Sequence, residues 1–414
     1  SDLERALSAP APLVTSTFTY ALQPPYQSTT HELTLIRLHY LFSGVGLWTA
    51  TYARQYNRRS EWDAVGAYAR AGRPAIDLQL TRHSLLQEFI TVNTTPYELR
   101  LGLHFHYERN YVQYAYFIPR YEKYQPVLYG QVSRGGWTLG ARAEPLYWVA
   151  YQVPQREGRF LTGQSTPRLS RWWPAWGAEA QRQWSISTSS AETLQTAHTF
   201  TLRLAYLQRP PNAAELYAYG YHQGRAAFEI GQPTFRTENI LHLHLDWLAQ
   251  NTYLCLSAYY SPTFIYARVD SALVWIRGAA LTYLYQQGPA VLFSLTGRQT
   301  YTPVRFLTFQ LQGGALWASY RRDTTWQPLP LLPAPYIEPI TSVQYRRWQA
   351  RLSLRLVARQ WRYDPAADLF PPPPGYGLLS TEIQYTTPPA SRLHWHFILS
   401  GDNLLNQPYR QYPD

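Results

Sequence analysis

The sequence predicts an all-β fold, an antiparallel barrel whose strands cross a membrane. Three observations predict it. Strand-length segments alternate apolar with polar residues, aromatic residues gather at the ends of those segments, and the polar connections between them are short and long in turn. The segments run about nine to eleven residues, the length a tilted strand needs to cross a bilayer, and about sixteen of them can be counted.

The segments follow one another along the chain. From Glu98 to Glu108, Leu99, Leu101, Leu103, Phe105 and Tyr107 share one face, and Arg100, Gly102, His104, His106 and Glu108 share the other. Leu202, Leu204 and Tyr206 oppose Thr201, Arg203 and Ala205. Leu241, Leu243, Leu245 and Trp247 oppose His242, His244 and Asp246. Leu352, Leu354 and Leu356 oppose Arg351, Ser353 and Arg355, and a last alternating segment runs from Leu393 to Leu399. Successive side chains of a strand point to opposite faces, so each segment has one apolar and one polar or cationic side. Tyr40 to Phe42, Tyr111 to Phe117, Trp247 and Trp361 to Tyr363 supply the aromatic ends of an interfacial belt. The long loops are expected at Arg58 to Pro74, Glu157 to Trp176, Arg209 to Thr237, Arg321 to Pro339 and Tyr363 to Tyr376. Proline runs fall inside them, where a missing N–H breaks no ladder. The only helix-like stretch is Asp2 to Leu7, and no domain boundary is visible. A soluble all-β fold such as a propeller would show similar alternation; segment length and aromatic ends favour the membrane barrel.

Composition fits this architecture. The 414 residues include 35 Tyr, 15 Trp and 15 Phe, while only 15% are charged. No run of 18 apolar residues offers a transmembrane helix. Mean hydropathy is negative, as in barrels whose inward residues offset the lipid-facing ones. The net charge of +11 could serve nucleic acid, an anionic lipid surface or an arginine-lined lumen. No run of five Lys or Arg appears, so nucleic acid is not an expected partner and the lumen is preferred. The lone Cys255, in Tyr253-Leu254-Cys255-Leu256, reads as a small buried or lipid-facing residue, and it leaves the redox compartment open. There is no Met and no signal peptide, and SDLERALSAPAP reads as the inside of a loop, so a mature fragment or trimmed chain is expected.

No catalytic constellation stands out. G-x-S-x-G, H-E-x-x-H and Walker A patterns are missing, and one cysteine rules out Cys-rich zinc sites, so neither enzymatic activity nor a cofactor is expected. Glu215, Glu229 and Glu238 read as solvated or strand-capping groups. The pairs His104/His106, His242/His244 and His394/His396 are spaced i, i+2 on the polar face, hence toward a lumen. Imidazoles there suit a polar lining or a metal.

Four stretches carry a resemblance. Gly401 to Asp414 (GDNLLNQPYRQYPD) follows an alternating strand. Pro25 to Leu33 resembles the start of a mid-barrel strand, and Gln55 to Asp63, with Ala75 to Leu80, a strand end, loop and strand start. Gln208-Arg209-Pro210-Pro211-Asn212-Ala213-Ala214-Glu215-Leu216-Tyr217 continues through Gly220 to Gly224, Phe228 to Pro233 and Thr234 to Glu238. Together, and in this order, they resemble TonB-dependent outer-membrane receptors, whose "R-x-P-x-x-x-E-L-Y" and "G-N-P-x-L-x-x-E" elements flank one extracellular loop. Gln232 and Phe235 stand where that family usually has Asn and Leu.

The resemblance implies a 22-stranded barrel of a Gram-negative outer membrane, with this chain lacking the N-terminal plug, the first several strands and the last one. It implies energised import of a scarce nutrient, a metal or metal chelate such as iron-siderophore, haem or zinc. The implied partners are a TonB-type energising protein acting through a plug, outer-membrane lipid and lipopolysaccharide, and the chelate itself. His222, among Tyr217, Tyr219 and Tyr221, takes the place of an iron-binding loop histidine, against an ordinary polar role. Arg58 and Arg59, beside Glu61 and Asp63, would grip an anionic chelate or pair with the neighbouring carboxylates, and mutual pairing is the favoured reading. A passive anion-favouring channel and a structural or binding component of a surface complex are the alternatives.

Overall fold

Alternation alone decides which side chains face outward, and pairing between neighbours decides where they meet. A computed structural model describes residues 26–62, 70–91, 96–114, 117–157, 160–190, 193–222, 227–269, 281–364, 371–388 and 395–410. Asp2 to Leu7, Asp63, Gln223, Gly224 and His394 lie outside them. The strands belong to a single 21-stranded sheet. Its first part comprises β1 (Tyr26–Phe42), β2 (Gly46–Trp62), β3 (Ile76–Thr91), β4 (Glu98–Tyr114) and β5 (Arg120–Arg134). Then come β6 (Trp137–Ala143), β7 (Leu146–Glu157), β8 (Phe160–Trp173), β9 (Trp176–Ser190) and β10 (Thr193–Arg209). A single helical turn, α1 (Ala213–Tyr217), and the short β11 (Tyr219–His222) and β12 (Ala227–Ile230) precede β13 (Glu238–Ala249), β14 (Thr252–Val269), β15 (Leu281–Val304) and β16 (Leu307–Arg322). The chain closes with β17 (Thr325–Pro328), β18 (Tyr336–Tyr345), β19 (Trp348–Val357), β20 (Tyr376–Thr386) and β21 (His396–Gly401).

Neighbours in sequence pair antiparallel from β1 to β5. The inner end of β5 pairs β6 and its outer end pairs β7, so β6 and β7 form one strand broken at Glu144-Pro145. The β8–β9 strand, broken at Pro174-Ala175, pairs them in return. The wall then continues through β10, β13, β14, β15, β16, β18, β19, β20 and β21. Merging the two broken strands and setting aside the short β11, β12 and β17 leaves sixteen wall strands among the described residues. The segment count in the sequence corresponds to these wall strands. Among the described residues β1 pairs only β2, and β21 pairs only β20.

Most wall strands are longer than the alternation suggested; β2, β4 and β10 each have 17 residues. The expected loop from Glu157 to Trp176 is largely strand β8, and Arg58 and Arg59 lie inside β2. Above a bilayer the outward face meets water instead of lipid, so the apolar half of the pattern disappears while the pairing continues.

Within the alternating stretch the outward face is apolar and open: Leu103 is 58% exposed, and Leu101 and Phe105 are likewise exposed. Gly102 and Glu108 on the opposite face are buried, with His104 and His106 half-buried. Rings mark both rims. Tyr107, Tyr124, Tyr147 and Trp172 run ring to ring on one side, and Trp184, Phe200 and Trp247 stack on the other. Such belts suit the two membrane interfaces. Short turns lie on the second side; one of them, Gly135-Gly136, has both φ angles positive, as a two-residue hairpin turn requires. The buried apolar core is on the long-loop side, where Tyr121, Leu146, Trp148, Trp173, Leu216, Tyr217, Phe235 and Ile265 pack together.

Candidate ligand-binding site

The long-loop mouth is organised by Arg209, the last residue of β10. Its guanidinium donates to Glu238 Oε2 from Nε (2.8 Å) and Nη2 (2.5 Å). It also donates to Glu215 Oε2 and Oε1, at 3.0 and 3.1 Å. Glu215 is itself placed by a capping box: Asn212 N–H donates to its Oε2, and its own N–H donates to Asn212 Oδ1. Tyr259 donates its hydroxyl to Glu238 Oε1 at 3.0 Å. Burial pushes the Glu238 carboxyl above its ordinary range, and Arg209 opposes that shift. Two buried carboxylates share one cation here. Glu215 and Glu238 are therefore not solvated, and Glu229 is equally buried, in β12.

Leu216 and Tyr217 drive the helical turn into the core, Tyr217 meeting Trp148 edge to face at 6.3 Å. The chain returns through the β11–β12 hairpin, and β12 pairs parallel to the outer end of β15, Ala227 with Leu281 through Ile230 with Leu284. Gly231 and Gln232 donate backbone N–H groups to Ala218 O and Glu215 O. Gln287 then holds Arg236 by both main-chain groups, accepting from its N–H and donating to its carbonyl.

Between this returning segment and the ends of β14, β15 and β16 lies a cavity of about 880 Å³. Arg156, Arg236, Arg268, Arg321 and Arg322 line it, with Asp323 as the single carboxylate. Arg156 Nη1 donates to Gly231 O at 3.0 Å and lies 5.7 Å over the Tyr219 ring. Arg321 Nε donates to Asp323 O. Arg268 Nε is buried without a hydrogen-bond partner among the described residues. Burial pushes the Tyr266 phenol, also in the lining, up to about 12. Lys123 is the only lysine of the chain, so the cationic lining is guanidinium, whose planar fork matches carboxylate and phosphate oxygens.

Solved structures share the wall that carries this mouth. The copper transporter OprC matches 92% of this chain and 62% of its own, with a TM-score of 0.65 and 13% identity. The FrpB iron transporter of Neisseria meningitidis matches 94% of this chain and 60% of its own at TM-score 0.61 and 13% identity. The siderophore receptor PirA of Pseudomonas aeruginosa matches 92% and 68% at TM-score 0.54 and 12% identity. The chain has the barrel fold of TonB-dependent outer-membrane receptors. It spans less than two thirds of OprC and FrpB, and at such identity the likeness is one of fold. No family model matches the sequence, and no curated protein matches it.

In this receptor-type barrel the residues singled out by sequence fall in three places. Tyr219 stands against Arg156 at the edge of the cavity. Tyr221 and His222 are in β11, paired through the backbone with Phe228 and Ala227. Arg58 and Arg59 are elsewhere, on β2. Arg58 holds Asp77 through Nε (3.1 Å) and Nη2 (2.9 Å), and Arg59 is paired with Glu61. The histidine pairs stay apart. His104 meets Ser84 and His106 faces Glu108 on β4, while His242 and His244 are on β13, which does not neighbour β4. His396, on β21, meets Gln384. Cys255 is not lipid-facing. It pairs with Asp246 and shares the inner face with His244 and Ser257, while Leu254 and Leu256 point out. The five cavity arginines went unread in the sequence; four sit alone or doubled near strand ends, Arg236 lies in the segment between β12 and β13, and only the +11 charge hinted at them.

Proposed function

We propose that this barrel belongs to an outer-membrane receptor that imports an anionic metal chelate, energised through a TonB-type partner. The observation that carries the reading is the arginine-lined cavity at the mouth. Five guanidinium groups against one carboxylate attract an anion and repel a bare cation. Its volume of about 880 Å³ suits a chelate of siderophore size. The receptor-type wall supports uptake over catalysis. His222 and Tyr221, on the hairpin beside Tyr219, are proposed as a second contact with the ligand, and the loops and outer strand ends as the surface that meets lipopolysaccharide.

Equilibrium binding to the detergent-purified protein tests this, with ferric citrate as the anionic probe and a neutral ferric hydroxamate as control. Arg268→Gln with Arg322→Gln should weaken ferric citrate at least tenfold, and rising salt should weaken it in the wild type. Equal affinity for both probes, or an unchanged double variant, refutes the assignment. The same cationic mouth would suit a passive anion channel. Planar-bilayer conductance of the full gene product separates the two, since a plugged receptor is silent.

A further inference from the structure

We infer that His244, Asp246 and Cys255 form a binding site for a divalent transition-metal ion of the zinc type on the inner face of the wall. Their donor atoms lie within 4.8 Å of one another. The hairpin between β13 and β14 makes the cluster. Asp246 is directly opposite Cys255, and His244 is two residues along β13 on the same face, opposite Ser257. An imidazole, a carboxylate and a thiol are the donor set that zinc takes, with one position left for water or a passing ligand.

The surroundings hold these donors as a second shell holds metal ligands. Ser257 Oγ meets His244 Nδ1 at 2.9 Å and fixes the ring. Tyr253 donates to Asp246 Oδ1 at 2.9 Å, leaving Oδ2 turned toward the histidine. His244 Nε2 and Asp246 Oδ2 are 2.7 Å apart, and Cys255 Sγ is 4.0 Å from Nε2. A tetrahedral zinc needs edges of about 3.3 Å for N–O and about 3.5 Å for N–S. Binding therefore opens the first edge and closes the second, each by roughly half an ångström. For Nε2 to hold the metal the ring keeps its one proton on Nδ1, donated to Ser257 Oγ, and the thiol proton leaves, so M²⁺ enters against one H⁺ and the charge of the site rises by one. Arg203, opposite His244 on β10, turns its guanidinium to Gln181 Oε1. With one cysteine in the chain, no internal disulfide competes for the sulfur.

The site stands apart from the uptake reading, since it lies on the wall at the level of Trp247 and not in the mouth. Co²⁺ titration of the detergent-purified protein tests it. One equivalent should produce a sulfur-to-cobalt charge-transfer band in the near ultraviolet, displaced by Zn²⁺. Cys255→Ser and His244→Ala should abolish the band, and His242→Ala, outside the cluster, should retain it. If the substituted proteins fold poorly, wild-type protein gives a second readout: Zn²⁺ should slow alkylation of Cys255 at least tenfold. No band, a band that survives Cys255→Ser, or alkylation indifferent to Zn²⁺ overturns the site and leaves the cluster a hydrogen-bonded lining.

Discussion

Replacing Arg209 by leucine removes one cation from between two buried carboxylates. Glu238 and Glu215 have side chains only 2% and 10% exposed, and Arg209 gives them four hydrogen bonds. Stripping one partner from a buried pair costs about 3–5 kcal/mol. The Arg209 side chain is 39% exposed, so water reaches part of the site, and the discounted cost is about 2–3 kcal/mol. Spent on opening the segment 210–238, that is roughly a 30- to 150-fold rise in its hydrogen-exchange rate. The effect should depend on pH. Burial already raises Glu238, so its favourable contribution is complete below the ordinary carboxylate range and is lost as pH rises through the raised value. Without Arg209 the value rises further, and the variant should approach wild type in acid and diverge toward neutrality. Adding Glu238→Gln should recover at least half the loss. Exchange of the described peptides around α1 and β12, read by mass spectrometry with intrinsic rates corrected for pH, is the assay. Protection within twofold of wild type at neutral pH would refute the idea that this clamp holds the loop.

Four further substitutions probe the wall and its outer end. Leu103→Arg should destabilise the barrel by about 2–4 kcal/mol, because it places a charge on the lipid face, whereas His104→Arg one residue along should stay within about 1 kcal/mol; equal losses in denaturant unfolding from bilayers would mean the faces are misassigned. Tyr320, fully buried, donates its hydroxyl to Asp364 at 3.0 Å and packs against Leu329, Leu332 and Tyr266. Tyr320→Phe should cost about 1–3 kcal/mol and Tyr320→Ala about 3–5 kcal/mol, and matching melting temperatures for the two would remove the cavity from the argument.

The wall was legible because strand alternation is a local rule. Leu101, Leu103 and Phe105 declare their face without knowledge of any neighbour, and the aromatic ends mark where the bilayer stops. What lies above the bilayer obeys no such rule. Segments such as Ser165 to Arg171 pair with β7 above the bilayer, where the outward residues Arg168 and Ser170 meet water, so their composition reads as loop although their backbone is strand. The motif around Arg209 was visible as a family mark, but its physical content was not. That content is a charge triad whose third member, Glu238, is 29 residues away from Arg209.

The ligand-facing residues were hidden for a related reason. Arg156, Arg236, Arg268 and Arg322 come from four separate parts of the chain, and no spacing connects them until β12 is laid beside β15. The His–Asp–Cys cluster lies between these extremes. Alternation placed His244 and Asp246 inward, and the same rule applied to Leu254-Cys255-Leu256 puts the thiol inward as well, since the leucines take the lipid face. Only the register was missing, and the two-residue turn Gln250-Asn251 supplies it. Closing β13 and β14 at Ala249 and Thr252 forces Asp246 opposite Cys255 and His244 opposite Ser257. A turn longer by one residue, drawn from either strand, would slide each pair by one position and send Cys255 toward Leu245 or Trp247. The metal site, if the cobalt titration bears it out, is therefore encoded as much in the length of that turn as in its three ligands.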